Sequence, residues 1–186
     1  MAVWLSEAQY RTLVAACARL IPTDETPGAV EAGVPDYIDG MLGAFDTDPP
    51  RVWAGGPWSG RFGGERGFDT FHRLSPLDEL AWRMRIEGSC GIPEREFNGV
   101  VVGWQQLYRE GLDGLGDDFC DVSDEERDTR LRAAGDFTTL LYEHCCEGMY
   151  GAPEYGGNRD GVGWAQISFL GDVQPRGFTD AEVSDP

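Results

Sequence analysis

The feature that most constrains the fold of this chain is a glycine-rich stretch, Tyr155–Trp164, in which four of ten residues are glycine. Glycine reaches backbone conformations at positive φ that strain other residues, so this stretch can neither propagate a helix nor form a regular strand. Asn158 and Asp160 favour turns, Arg159 offers a planar fork of donors, and an aromatic residue stands at each end. The stretch is therefore predicted to be a loop that its own polar and aromatic side chains hold in place.

Glycine-rich loops bind phosphates in many nucleotide-binding proteins, but this loop matches neither of the usual motifs. No GxGxxG segment follows a predicted strand and opens a helix, and Gly-Lys-Ser/Thr is absent because the chain contains no lysine. The formal net charge of −18 argues against a nucleic-acid-binding protein, which needs clustered basic residues. Such a charge fits a basic partner surface, or it serves solubility alone.

Most of the remaining chain shows helical periodicity. Six segments combine a typical helix start with apolar residues at helical spacing. These segments begin at Ser6, Val34-Pro35, Ser75-Pro76, Pro93, Ser123 and Asp136. Ser6 and Gln9 have the spacing of a capping box, Asp136 is predicted as a cap, and Pro93–Leu112 is the longest predicted helix. Only Ala165–Leu170 resembles a strand.

A second irregular segment runs from Asp46 to Gly67 and carries the large side chains Trp53, Trp58 and Phe62 among glycines and prolines. A loop of this length in a compact domain is either functional or disordered, and these side chains argue against simple disorder. They need burial beneath the loop itself or against another protein, and the sequence favours both alternatives equally. With 186 residues, no repeat and no linker, we predict a mainly α fold, residues 1–186 forming a single compact domain with two long irregular segments.

Candidate catalytic residues are few. The two histidines, His72 and His144, titrate near neutral pH, but neither has a nucleophile and an orienting group at a recognisable spacing. Cys145 and Cys146 point to different sides of a helix, so they and His144 form a zinc site only with ligands from elsewhere. A Cys–His pair with His72, or a metal-assisted hydrolase that uses both histidines and a carboxylate, are the enzyme alternatives. Structural or solvent-facing roles are the favoured interpretation for both histidines.

The five cysteines form an odd set without a CxxC motif: Cys17, Cys90, Cys120, Cys145 and Cys146. We expect reduced thiols and a cytoplasmic location, although a disulfide between separated cysteines stays open. The first residues lack the basic and apolar regions of an export leader, so a periplasmic location requires a leader on the partner or a removed one. No segment approaches the roughly 18 apolar residues that span a membrane.

Two separated parts of the chain resemble a known family. The C-terminal part comprises Glu147–Tyr150 and Pro153–Trp164, and the N-terminal part comprises Leu20–Ala29 and Ala32–Asp39. In sequence and in order these segments resemble the gluconate 2-dehydrogenase subunit 3 family. The two matches together are far more specific for this family than either match alone.

The resemblance implies a small, non-catalytic partner of an FAD-dependent sugar or alcohol dehydrogenase of the glucose-methanol-choline type. FAD and the hydride chemistry are then expected in the partner, and this chain is expected to hold no cofactor and no catalytic residue. Its expected role is to bind and stabilise the catalytic subunit in a hetero-oligomer, with a cytochrome or another acceptor receiving the electrons. A free-standing binding or regulatory helical protein is the alternative.

We expect partner contacts on the two irregular segments, because aromatic and arginine side chains dominate desolvated interface centres. The expected contact residues are Trp53, Trp58, Phe62, Tyr155, Asn158, Arg159 and Trp164. In the competing interpretation, Asn158 and Arg159 tie the loop to the preceding helix, and Trp164 lies in the core of this chain.

Overall fold

The structure is a computed structural model that describes residues 3–48, 50, 52 and 74–170. Within these residues the chain forms seven α-helices and no strand, which confirms the predicted mainly α fold. The helices are α1 (Glu7–Leu20), α2 (Val34–Leu42), α3 (Pro76–Ile86), α4 (Trp104–Gly114), α5 (Asp124–Ala133), α6 (Asp136–Tyr150) and α7 (Val162–Gln166). Short 3₁₀ turns lie at Ala44–Asp46, Pro93–Arg95, Pro153–Tyr155 and Arg159–Gly161.

Serine side chains cap three of the predicted helices. Ser6 Oγ accepts the N–H of Gln9 at 3.2 Å, and Gln9 Oε1 accepts the N–H of Ser6 at 3.3 Å, which completes the capping box of α1. Ser75 and Ser123 cap α3 and α5 in the same way, each accepting the N–H three residues later. These three helix starts are confirmed. They were predictable because an N-cap hydrogen bond joins residues that are close in sequence.

The predicted helix Pro93–Leu112 is wrong. A three-residue 3₁₀ turn is followed by irregular chain, and α4 begins only at Trp104. Gly99 has a φ of 98°, which ends helical geometry. Gly103 lies so close to Gly88 that a Cβ at Gly103 would stand 2.4 Å from the backbone nitrogen of Gly88. This tertiary contact, which helical spacing does not reveal, interrupts the predicted helix.

Two smaller predictions are also wrong. The segment Ala165–Leu170 ends α7 and then turns, with the N–H of Phe169 donating to the carbonyl oxygen of Trp164 at 2.8 Å, so it forms no strand. Asp136, predicted as the cap of α6, is its first helical residue. Gly135 takes the cap position with a φ of 51°.

The main core lies between α1, α2, α4, α5 and α6, with α6 in contact with α1, α2, α4 and α7. Its largest fully buried side chains include Leu13, Ile38, Leu42, Tyr108, Phe119, Leu141 and Met149. A smaller cluster of Ala44, Val52 and Ile86 packs against Trp82 and Trp104. Burial of these apolar side chains supplies most of the stabilisation of such a bundle.

A buried carboxylate attaches the N-terminal segment to α2. Asp39 is 1% exposed and accepts the N–H of Trp4 at 3.1 Å and that of Leu5 at 2.8 Å, as well as that of Val3. Three donors compensate the cost of burying this carboxylate. The entry into α1 is thereby fixed against the helix that carries the N-terminal family-like segment.

Several predicted residues lie outside the described ranges. Trp53, Trp58 and Phe62 of the middle irregular segment belong to this group, as does His72. The single-domain prediction covers those residues too, and it therefore stays a prediction.

Candidate functional site

The glycine-rich loop lies directly against the C-terminal end of α6. A Cβ at Gly157 would stand 2.2 Å from the carbonyl oxygen of Gly148, and one at Gly163 would stand 1.9 Å from that of Met149. On the neighbouring side, a Cβ at Gly148 would lie 2.7 Å from the ring of Tyr37 on α2. Because backbone atoms face Gly157 and Gly163, no side-chain movement could make room, and only glycine fits at these two positions.

Asn158 holds this loop closed. It is fully buried in the left-handed region, with a φ of 45°. Its Nδ2 donates to the carbonyl oxygen of Gly151 at 2.8 Å, and its Oδ1 accepts the N–H of Gly163 at 2.9 Å. One amide thus satisfies a carbonyl just beyond α6 and an N–H near the start of α7. Asn158 thus ties the loop to the end of α6. The predicted contact of Asn158 with a partner stays a prediction.

Arg159 links the loop to α2. Its backbone N–H donates to the carbonyl oxygen of Ala32 at 3.0 Å, and its guanidinium lies over Gly33, where a Cβ would meet Nε at 2.6 Å. The guanidinium also pairs with Asp36, whose other oxygen accepts the hydroxyl of Tyr10. Burial, followed by the Asp36 carboxylate, raises the pKa of Tyr10, which keeps the hydroxyl protonated as the donor.

The Arg159 side chain nevertheless remains 52% exposed and accessible to another molecule. Trp164 is half-buried and not part of the main core. Its Nε1 donates to the carbonyl oxygen of Tyr150 at 2.7 Å, and its ring meets that of Phe169 edge to face, with centroids 5.1 Å apart. Tyr155 is also half-buried. The loop therefore has a backbone held by hydrogen bonds and an accessible outer side.

An apolar groove of about 690 Å³ adjoins the loop and shares Tyr155 and Gly157 with it. Its aromatic and aliphatic lining includes Tyr37, Met41, Trp82, Trp104 and Tyr150. Two charged side chains lie among these: the Arg85 guanidinium stands 5.1 Å from the Trp82 ring, and Glu147 accepts the hydroxyl of Tyr37 at 3.0 Å. The groove has the apolar lining with few charges that is typical of binding clefts.

The two family-like segments meet at this site although they are far apart in sequence. Three links join them: Arg159 with Asp36, Arg159 with Ala32, and Glu147 with Tyr37. A fourth link joins Gln166, two residues beyond the C-terminal segment, to Pro27. Sequence spacing predicted none of these pairs. No pattern in the sequence marks these pairs, because their members are more than a hundred positions apart. Loop and N-terminal segment therefore form one structural unit, which we call the loop platform (residues 27–39 and 147–166).

Comparison with known families identifies the family to which the chain belongs. The family model described as gluconate 2-dehydrogenase subunit 3 matches residues 7–171, which include the whole loop platform. The chain belongs to the gluconate 2-dehydrogenase subunit 3 family. The family is that of a dehydrogenase subunit, consistent with an accessory role. The comparisons with curated proteins and with solved structures give no match.

In this subunit, the surroundings of His144 indicate a structural role. It is 2% exposed, its Nδ1 lies 2.8 Å from the hydroxyl of Tyr108, and its ring meets that of Trp104 with centroids 4.6 Å apart. Burial lowers the pKa of His144 to about 4, so the imidazole is neutral at pH 7. Among the residues that the structure describes, no three His, Cys, Asp or Glu side chains group to hold a metal ion. In the same ranges, no helix is long and apolar enough to cross a membrane.

The depressed pKa of His144 predicts a pH-dependent stability. The unfolded state has a pKa near 6.5 and binds more protons than the folded state between that value and about 4. Stability is therefore complete above about pH 6.5 and decreases as the pH falls toward 4, by on the order of 3 kcal/mol. NMR titration of the His72→Gln variant, which leaves His144 as the one imidazole, should show a midpoint near 4. A midpoint near 6.5 would contradict the buried environment.

The close approach of the loop to α6 predicts a large cost for Gly157→Ala. Its Cβ would collide with backbone, so we expect a loss of about 3 kcal/mol or more in the free energy of unfolding, measured by guanidinium denaturation. Gly40→Ala is the matched control, because a Cβ there meets nothing within 4 Å inside α2. The free energy of unfolding of Gly40→Ala should rise by up to about 1 kcal/mol, because alanine has a higher helix propensity than glycine. Equal effects of the two substitutions would refute the contact between loop and helix.

Proposed function

We propose that this chain is the non-catalytic small subunit of an FAD-dependent dehydrogenase of the glucose-methanol-choline type that oxidises a CH–OH group of a sugar or alcohol. The family match over residues 7–171 carries this proposal. FAD and the hydride step belong to the partner subunit, and this chain contributes binding and orientation without a cofactor of its own. The electrons pass from the partner to a cytochrome or another acceptor.

The outer side of the loop platform is the proposed contact surface. Arg159 offers a half-exposed guanidinium that Asp36 already orients, so a partner carboxylate or carbonyl can bind it with little loss of side-chain entropy. Tyr155 lines the same surface cleft as Arg159, and Trp164 is half-buried at the end of the loop. Asn158 is fully buried and contributes by fixing the shape of the loop. Trp53, Trp58 and Phe62 remain proposed contacts outside the described residues.

Exposed apolar side chains next to the loop platform support a role in association. Ile167 is 56% exposed, Leu170 is 68% exposed and Phe169 is also exposed, as is Tyr150 within the platform itself. Groups of exposed apolar residues mark interaction surfaces more often than isolated ones do. By covering this surface, the catalytic subunit would form a hetero-oligomer in which this chain acts as a chaperone-like stabiliser. We propose that the complex is cytoplasmic.

Purification of the tagged subunit from its native host tests the assignment. We expect a flavoprotein to be recovered with it and flavin absorbance in the complex, whereas the subunit alone should bind no flavin and oxidise no sugar. Flavin bound by the isolated chain, or turnover without a partner, would contradict the accessory role. Recovery of no flavoprotein across several growth conditions would favour a free-standing binding protein.

The contact surface predicts the effect of Arg159→Ala on the recovered complex. We expect the affinity for the catalytic subunit to decrease at least tenfold, equivalent to about 1.4 kcal/mol, since buried arginine anchors often cost more than this. Titration of the subunit into the catalytic subunit measures the affinity, and the melting temperature of the isolated chain is measured beside it.

The matched control is Arg132→Ala on the exposed surface of α5, which should leave the affinity within twofold. If Arg159→Ala lowers the melting temperature and leaves the affinity unchanged, Arg159 is only an internal link to Asp36. The proposed contact surface is then wrong, while the co-purification result still decides the subunit assignment.

A further inference from the structure

Two of the five cysteines meet in the core although 128 positions separate them in sequence. Cys17 lies on α1 and Cys145 on α6, and both are fully buried. Their Sγ atoms are 3.6 Å apart, and both are free thiols. The two helices are in direct contact, so their main-chain positions already hold the two sulfur atoms together.

We propose that Cys17 and Cys145 form a disulfide site that cross-links α1 to α6 when the chain folds in the presence of a disulfide oxidant. A disulfide bond measures about 2.05 Å, so the sulfur atoms must approach by roughly 1.5 Å. Rotation about the side-chain dihedral angles of the two cysteines moves the sulfur atoms by distances of this size. The inference concerns the fold of this chain and is independent of the proposed dehydrogenase partner.

The reaction is two successive thiol–disulfide exchanges with an external disulfide such as oxidised glutathione. The thiolate of one cysteine attacks the oxidant, forms a mixed disulfide and releases one glutathione thiolate. The second cysteine then loses its proton and attacks the protein sulfur of the mixed disulfide, which releases the second glutathione. Two protein thiols are oxidised to one disulfide, and the oxidant is reduced to two thiols.

The bond forms during folding and not by attack on the folded chain. The hydrogen bond with Cys145, followed by burial, raises the pKa of Cys17 well above its ordinary value, so little thiolate exists in the folded state. Full burial of both sulfur atoms also excludes the oxidant. Exchange therefore takes place while α1 and α6 are coming together and both sulfur atoms are still accessible.

The other cysteines have different surroundings. Cys90 is exposed and Cys120 is half-buried. Cys146 follows Cys145 directly, but it lies on the side of α6 that lines the apolar groove. Native packing thus brings Cys145 to Cys17 and directs Cys146 away. It therefore favours a disulfide between Cys17 and Cys145 over one between Cys17 and Cys146.

Refolding of the full chain from guanidinium in a buffer of oxidised and reduced glutathione tests the site. After thiol blocking, non-reducing peptide mass spectrometry should find Cys17 joined to Cys145 and three of the five cysteines free. Because the bond closes a long loop in the unfolded chain, the melting temperature should rise by roughly 5–10 °C over the reduced protein. Addition of a reductant should abolish this rise.

Cys17→Ala and Cys145→Ala should lose both the cross-link and the redox-dependent shift, whereas the neighbouring control Cys146→Ala should keep both. Five free thiols in refolded wild-type protein would overturn the proposal, and so would a predominant disulfide between any other two cysteines. The wild-type peptide map decides this result even if the core substitutions fail to fold.

Discussion

The loop between α6 and α7 depends on one buried amide. Asn158 binds a carbonyl beyond the end of α6 and an N–H near the start of α7, and its left-handed backbone lets the chain turn between them. Gly157 and Gly163 remove the side chains that would keep the loop away from α6. Removal of the amide would leave a buried N–H of Gly163 and a part-buried carbonyl of Gly151 without this partner. The cost of an unpaired buried group usually exceeds the value of the bond itself.

This closure also determines where the next residue stands. With Asn158 fixed, Arg159 reaches back to Ala32, Gly33 and Asp36, and the N-terminal segment is held against the loop. Arg159 and Glu147 of the C-terminal segment are thus engaged with residues of the N-terminal segment. The glycines and the amide shape the surface, and the exposed parts of Arg159 and Trp164 are what a partner can contact.

Local chemistry made part of this structure predictable from the sequence. Ser6, Ser75 and Ser123 cap helices through the backbone three residues away. The glycine-rich stretch is irregular at residues 156–158 as predicted, but the prediction that it cannot enter a helix is wrong at its end, where Val162, Gly163 and Trp164 start α7. The long helix predicted from Pro93 failed because Gly103 meets Gly88 through tertiary contact.

The sequence predicted that the candidate site contains a loop, but it did not predict which residues that loop contacts. The partner of Arg159 lies 123 positions away, and Asn158 binds backbone groups that any residue type carries. No residue pattern marks such contacts. The proximity of Cys17 and Cys145 likewise follows from how α1 packs on α6, which periodicity within each helix does not determine.

The central claim is that the loop platform of this gluconate 2-dehydrogenase subunit 3 family member is the surface that its catalytic subunit covers. Hydrogen–deuterium exchange of the subunit, free and in the purified complex, tests it most directly. We predict that complex formation slows exchange across residues 150–170 and leaves α5, on another part of the molecule, unchanged. Slower exchange confined to α5, with residues 150–170 unaffected, would contradict the claim.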